Sequence, residues 1–143
     1  VEYVVGDGRV QLQKQKEQGQ VNRFDALVLD AFSGDAIPMH LLTLEAMQLY
    51  LSQLKEHGVL AIHISNSHLD LTPLMRGLAD ELKLKVHFFE TKAKQAHEHN
   101  THWVTLTFDE QAIESFKHLQ SPWPNQKPTF IWRDDYSNLM SAL

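Results

Sequence analysis

Apolar and polar residues along the 143 positions fall into short blocks whose spacing changes from one block to the next, and each spacing predicts an element. Val1 to Val5 is a β-branched run that reads as a short strand, closed by Gly6, Asp7 and Gly8. Arg9 to Gln18 is rich in Lys and Gln, with Val10 and Leu12 its few apolar residues. It predicts a helix with little to bury, and Gly19 is its stop. Ala26 to Leu29 is nearly continuous in hydrophobicity and predicts a central parallel strand buried on both faces. A Pro-containing loop over 37–42 leads to Thr43, the cap of a helix reaching about Lys55. Its residues Leu44, Met47, Leu51 and Leu54 share one face, and His57 and Gly58 close it.

Val59 to Ile64 is the next buried strand and ends in Ser65, Asn66 and Ser67. Thr72 and Pro73 open a second amphipathic helix, as cap and first helical residue, whose stripe is Leu74, Leu78, Ala79 and Leu82. Lys85 to Glu90 reads as a strand. Thr101 to Phe108 alternates strictly, which predicts an antiparallel strand with one less buried face. Asp109 caps a short helix to about His118, and a proline-bearing tail docks through Trp132, Tyr136 and Leu139. Strands alternating with helices make an α/β domain. In an open α/β sheet ligands bind beyond the carboxyl ends of the strands, where Asp30, Asp35 and Asn66 fall. A turn-capping role for Asp35, and for Asn66, stays open beside a binding one.

Four stretches, GDG (Gly6 to Gly8), FDALVLDAFSGDAIP (Phe24 to Pro38), GVLAIHISN (Gly58 to Asn66) and WRDDYSNL near the end, resemble the C-terminal part of the spermidine synthase catalytic domain. The likeness spans nearly the whole chain and leans toward bacterial spermidine synthase-like proteins, which are often fused to membrane segments. It implies a partial Rossmann-like, class I methyltransferase-type fold: a mostly parallel sheet of about five strands with flanking helices and an antiparallel last strand. Val1 to Val5 is expected beside the central strand, with self-association through an exposed edge as the alternative. Family members carry a glycine-rich turn after their first strand and an acidic residue after their second; neither is found here. A single, N-terminally truncated domain is therefore expected, as is the absence of measurable activity from these 143 residues alone.

The resemblance also implies roles. Asp30 would accept the proton of an attacking amine, and Asp35 would hold the cationic amine substrate; Asn66 is a candidate to line the site from its place on the rim alone. Asp7 and Gly8 would meet the adenine of the co-substrate, decarboxylated S-adenosylmethionine, with no tightly bound cofactor. Asp7 as a helix cap is compatible with that contact. In the family loop two acidic residues lie three apart directly before proline, whereas here Asp30 and Asp35 are five apart with Ala36 and Ile37 before Pro38. A non-catalytic sensing or interaction module on the same fold is the rival reading, and a methyltransferase using S-adenosylmethionine is the third.

Composition narrows the partners. A net charge of −5 with a pI near 6.0 offers no basic stripe to neutralise phosphates, so nucleic acid is not expected while a small cation is. The chain has no cysteine, which removes disulfides and thiolate metal sites and is compatible with a reducing cytosol. A cytoplasmic domain, attached by resemblance to a membrane region of a parent protein, is the expected setting. Val1 in place of methionine fits an internal fragment. His97, Glu98, His99 and His102 are spaced poorly for one ion, so no metal is expected. His40 and His63 are read as packed or hydrogen-bonded residues near the site rather than as bases.

Overall fold

A computed structural model of the protein describes residues 1–31, 38–94 and 100–135. Helix α1 (Gly8–Glu17) is followed by strand β1 (Phe24–Leu29), helix α2 (Leu44–Gln53), strand β2 (Leu54–His63), helix α3 (Thr72–Leu82) and strands β3 (Lys85–Thr91) and β4 (Thr101–Thr107). The sheet order is β1-β2-β4-β3. β1 runs parallel to β2, and β4 runs antiparallel to both β2 and β3, so three strands share a direction and the last is reversed. This is the expected α/β class, with four strands among the described residues where about five were predicted.

The missing strand is Val1 to Val5, which forms no ladder and leaves Val1, Tyr3 and Val5 exposed. Among the described residues β1 consequently has no partner on its outer side. It is an edge strand, not the central one, and Val28 is exposed. The strand buried from both sides is β4, where Val104, Thr105, Leu106 and Thr107 are all buried. Of its two buried threonines, Thr107 is satisfied locally, its Oγ1 donating to the Gly58 carbonyl at 3.0 Å, while the Thr105 hydroxyl has no hydrogen-bond partner among the described residues.

α2 stops at Gln53, two residues before the expected end, because Leu54 is already extended (φ −81°, ψ 146°). His57 and Gly58 thus lie within β2, not at a helix end, and His57 Nδ1 lies 2.7 Å from Asp109. The parallel register jumps from Phe24↔Leu54 to Ala26↔Val59, and the loop of β2 so formed brings Gly58 against the Phe24 carbonyl, where a Cβ would come to 3.1 Å. The cap of α3 is also displaced by one residue. Thr72 is its first helical residue, and the Asp70 carboxylate accepts from Thr72 N at 3.0 Å and from Thr72 Oγ1 at 2.6 Å. Asp109 caps a 3₁₀ turn over Glu110–Ile113 rather than an α-helix.

The core gathers around α2, α3 and the sheet, with Met47, Leu60, Ile62, Leu74, Leu78 and Leu106 fully buried. Trp132 is the expected anchor of the tail, fully buried, and its carbonyl accepts from Leu44 N at 2.8 Å. Tyr136 and Leu139 lie outside the described residues. Phe130 crosses α3 at Gly77, so closely that a Cβ there would strike the Phe130 carbonyl.

Candidate active site

The strands deliver polar residues to one rim. β1 ends at Leu29 and β2 at His63, and because β4 is reversed its first residues, from Thr101, lie beside the end of β2. Asp30 follows β1 with its side chain 58% exposed, and its Oδ1 lies 2.8 Å from Nδ1 of His63. The other ring nitrogen of His63 lies 2.6 Å from Ser65 Oγ, which accepts the backbone N–H of His102 at 2.7 Å. Trp103 stacks on the His63 ring with centroids 4.8 Å apart. The β1–β2 register explains the first contact: Leu29 pairs with Ile62, so one step further places Asp30 beside His63.

Asp7 stands at the start of α1 and acts as its cap, as one reading of the sequence had it. Its Oδ1 accepts from Val10 N at 2.9 Å, and its Oδ2 lies 2.7 Å from His40 Nε2. The Val10 N–H and then the His40 ring favour its charged form and hold its carboxyl below the usual carboxylate range. Beside this pair Arg9 reaches the tail: its guanidinium makes a two-pronged contact with Asp134, with NH1 to Oδ1 at 2.8 Å, and also donates to the His40 carbonyl. Arg9 thereby lowers the pKa of Asp134, and Thr43 Oγ1 adds a hydrogen bond to the same carboxylate at 2.7 Å. Tyr50 is buried nearby, donates to the Leu41 carbonyl, and has its phenol pushed well above the ordinary value by burial.

Two hollows adjoin these groups. One, of about 420 Å³, is largely apolar and lies against β1, with Gly8, Arg9, Leu27, Leu29, Ala31 and Tyr50 among its lining residues. It contains the chain neighbours of Asp7 and Asp30, not the two aspartates themselves. The other, of about 740 Å³, is lined by Arg9, Met39, His40, Thr43 and Asp134 among others. Gly8 has open space where a Cβ would project, so nothing within the described chain requires glycine there.

The predicted site residues are thus only partly brought together. Asp30 reaches the rim, and Gly8, though not Asp7, lines the apolar hollow. Asn66 holds a turn, its Oδ1 accepting from His68 N and Leu69 N, both at 2.8 Å, while its Nδ2 is buried without a partner among the described residues. Asp35 lies outside the described residues, so the expected pair of acids at the tip of β1 is represented by Asp30 alone. His97, Glu98 and His99 also lie outside them, and His102 sits 3.3 Å from Glu90. Among the described residues no three potential ligands gather for an ion. None of their helices is long and apolar enough to cross a membrane.

His40 and His63 were expected near the site, and each contacts one of the two predicted carboxylates, Asp7 and Asp30, which was not foreseen. The signal for His63 was present: sliding ALVLD over LAIH in parallel, with apolar runs aligned, sets Asp30 beside it. None existed for His40, whose contact spans two loops.

No protein-family model matches the chain, and no curated protein does. Solved structures do. The chain is similar to a spermidine synthase from Thermotoga maritima, with a TM-score of 0.57 and 19% identity over 80% of this chain and 38% of that one. It is similar also to a spermidine synthase solved in complex with the transition-state analogue AdoDATO, with a TM-score of 0.55 and 19% identity over 80% of this chain and 36% of that one. The chain therefore has a spermidine synthase-like fold and spans little more than a third of the length of these structures.

Proposed function

We propose that this chain, sharing its fold with spermidine synthases, is a single piece of an aminopropyltransferase domain acting in polyamine biosynthesis, with Asp30 as the proton acceptor. The observation that supports this most is the position of Asp30 at the carboxyl end of β1, half exposed, with one carboxylate oxygen already engaged by His63. In the reaction a neutral amine attacks the aminopropyl carbon of decarboxylated S-adenosylmethionine. The new C–N bond forms as the C–S bond breaks, the electron pair leaves on sulfur as a neutral thioether, and the resulting ammonium gives its proton to Asp30. A carboxylate suits both halves of the task, because its charge attracts a cationic amine and its lone pair takes the proton within hydrogen-bond reach.

In this proposal Asp35 holds the distal ammonium of the amine and Asn66 borders it. Asp7 accepts from the adenine amino group of the co-substrate, its Oδ2 shared with His40, and the open space at Gly8 leaves room for the base. Holding the two reactants in line supplies much of the acceleration. Donor-binding contacts beyond this chain are part of the same proposal, as are a membrane-attached parent, a cytoplasmic setting and pairing with a second copy along the edge of β1.

A second reading has its own support. Asp30 is wet and stands on an edge strand, whereas transfer chemistry gains from a water-excluded site, so a ligand-sensing module with the same fold is the alternative. The intact protein should be incubated with decarboxylated S-adenosylmethionine and a panel of diamines, following methylthioadenosine release. Amine-dependent release supports the enzyme. Donor binding without release supports the module, and methylated amine from S-adenosylmethionine would replace both with a methyltransferase.

A further inference from the structure

We infer that His63 is a positioning residue for Asp30, anchored by Ser65 and the backbone of His102 and held by the Asp30 carboxylate in the neutral tautomer protonated at Nδ1; the inference rests on the reading of Asp30 as proton acceptor. Donors and acceptors along the chain can be assigned in only one self-consistent way for a neutral ring. His102 N–H donates to Ser65 Oγ, so the serine's own proton is free to turn elsewhere. An ionised Asp30 has only lone pairs to offer, so Nδ1, 2.8 Å away, must carry the ring proton and donate it. Nε2 is then bare and takes the Ser65 hydroxyl proton at 2.6 Å. The whole path reads His102 N–H to Ser65 Oγ–H to His63 Nε2, then His63 Nδ1–H to Asp30 Oδ1.

Three contacts fix the ring in space. Hydrogen bonds hold it at both nitrogens, and Trp103, its antiparallel cross-strand partner, stacks on its face with an interplanar angle of 20°. The ring in turn fixes Asp30, a short side chain at the exposed end of an edge strand with no other hydrogen-bond partner among the described residues. Oδ1 is committed to the imidazole, while Oδ2 accepts no hydrogen bond among the described residues and belongs to a side chain 58% exposed. His63 therefore sets which oxygen is the base and where it points. The order carboxylate, imidazole, hydroxyl is also that of acyl-transfer triads, but here the hydroxyl oxygen is engaged by the β4 backbone. Ser65 acts as an anchor, and the working end of the chain is the carboxylate.

The test has two arms in the intact protein. In the kinetic arm His63→Ala should lower kcat for amine-dependent transfer roughly 10- to 100-fold, the scale expected when a reacting group is misplaced by about 1 Å, with the KM for the amine moving less than about threefold. His63→Asn, whose side-chain N–H can stand where Nδ1–H stood, should recover most of that loss. A wild-type kcat in His63→Ala, with Asp30→Asn inactive, overturns the positioning role. A wild-type kcat in Asp30→Asn overturns the reading of Asp30 as base, and the role of His63 with it. The second arm needs no turnover: ¹⁵N NMR of the neutral ring should show Nδ1 protonated and Nε2 bare, and Asp30→Asn, whose side-chain amide can donate to Nδ1, should admit the opposite tautomer. A wild-type ring protonated at Nε2 contradicts the assignment whatever the kinetics give.

Discussion

Single residues in this protein carry charges whose placement can be tested by titration. Asp7, held by Val10 N–H and His40, and Asp134, held by Arg9, both have carboxyls lowered from 3.8. Asp70 ends in the same direction: burial pushes it up, and hydrogen bonds from Thr72 and Asn125 more than offset that. A carboxyl with a lowered folded pKa contributes stability that is fully present above its unfolded value, here 3.8, and is lost as pH falls through the folded value. Melting temperature should consequently be insensitive to these groups above about pH 5 and fall below about pH 4. Asp134→Asn should make that acid decline shallower, and a decline as steep as in the wild type would show that the Arg9 contact adds no stability.

Gly8 separates packing from ligand binding. Since a Cβ meets nothing within 4 Å, Gly8→Ala should change stability by no more than about 0.5 kcal/mol, as for an ordinary surface change. If the adenine of the co-substrate lies there, the same substitution should weaken donor binding measured by calorimetry. Unaltered affinity would remove Gly8 from the proposed site. The two site histidines mark the limit of reading at this scale: Asp30 with His63 was legible once two apolar runs were aligned, whereas Asp7 with His40 required knowing how two loops fold back on each other.

Among elements, the helices and the reversed strand β4 follow directly from spacing, since three-and-four periodicity and strict alternation each match one backbone period. What alternation could not show was where a strand sits in the sheet. ALVL reads as doubly buried and is the edge, while TLT looks half-polar and lies buried between two neighbours. Position in the sheet depends on which strands are present to pair, and the Thr107 hydroxyl bonds to local backbone, so side-chain polarity misled in both directions. Helix ends were similarly offset where a neighbour supplied the cap, as Asp70 does for α3.

Contacts between elements give a sharper test. Gly77 on α3 has the Phe130 carbonyl where a Cβ would go. Alanine is the better helix former by about 1 kcal/mol, but relieving the clash means lifting the tail that seats Trp132, at a cost of about 1–3 kcal/mol. Overpacking should win, and Gly77→Ala should lower the melting temperature by about 3–6 °C. A rise would show that the tail lies further from α3. Thr43 caps α2 through Ala46 N and also donates to Asp134, so Thr43→Ala should cost about 1–2 kcal/mol, measurable by denaturant unfolding, while Thr43→Ser should restore most of it.

At the scale of the molecule, β2 and β4 are paired on both sides, whereas among the described residues β1 has one unpaired edge and Val1 to Val5 joins no sheet. Amide exchange should therefore be slowest in β2 and β4 and fast before Gly6, and slow exchange in residues 1–5 would mean that this segment adds a strand to β1. The spermidine synthase-like fold was legible from four short stretches, yet a shared fold fixes only where a site can be, and the chemistry has to come from the residues on its rim.

The account stands or falls on Asp30. The decisive measurement is the rate of amine-dependent aminopropyl transfer by the intact protein and by its Asp30→Asn variant, at saturating donor and amine, with melting temperature followed in parallel. The account predicts a rate lower by about 10²- to 10⁴-fold, with melting and donor binding retained. A variant that transfers as fast as the wild type, equally well folded, would contradict it.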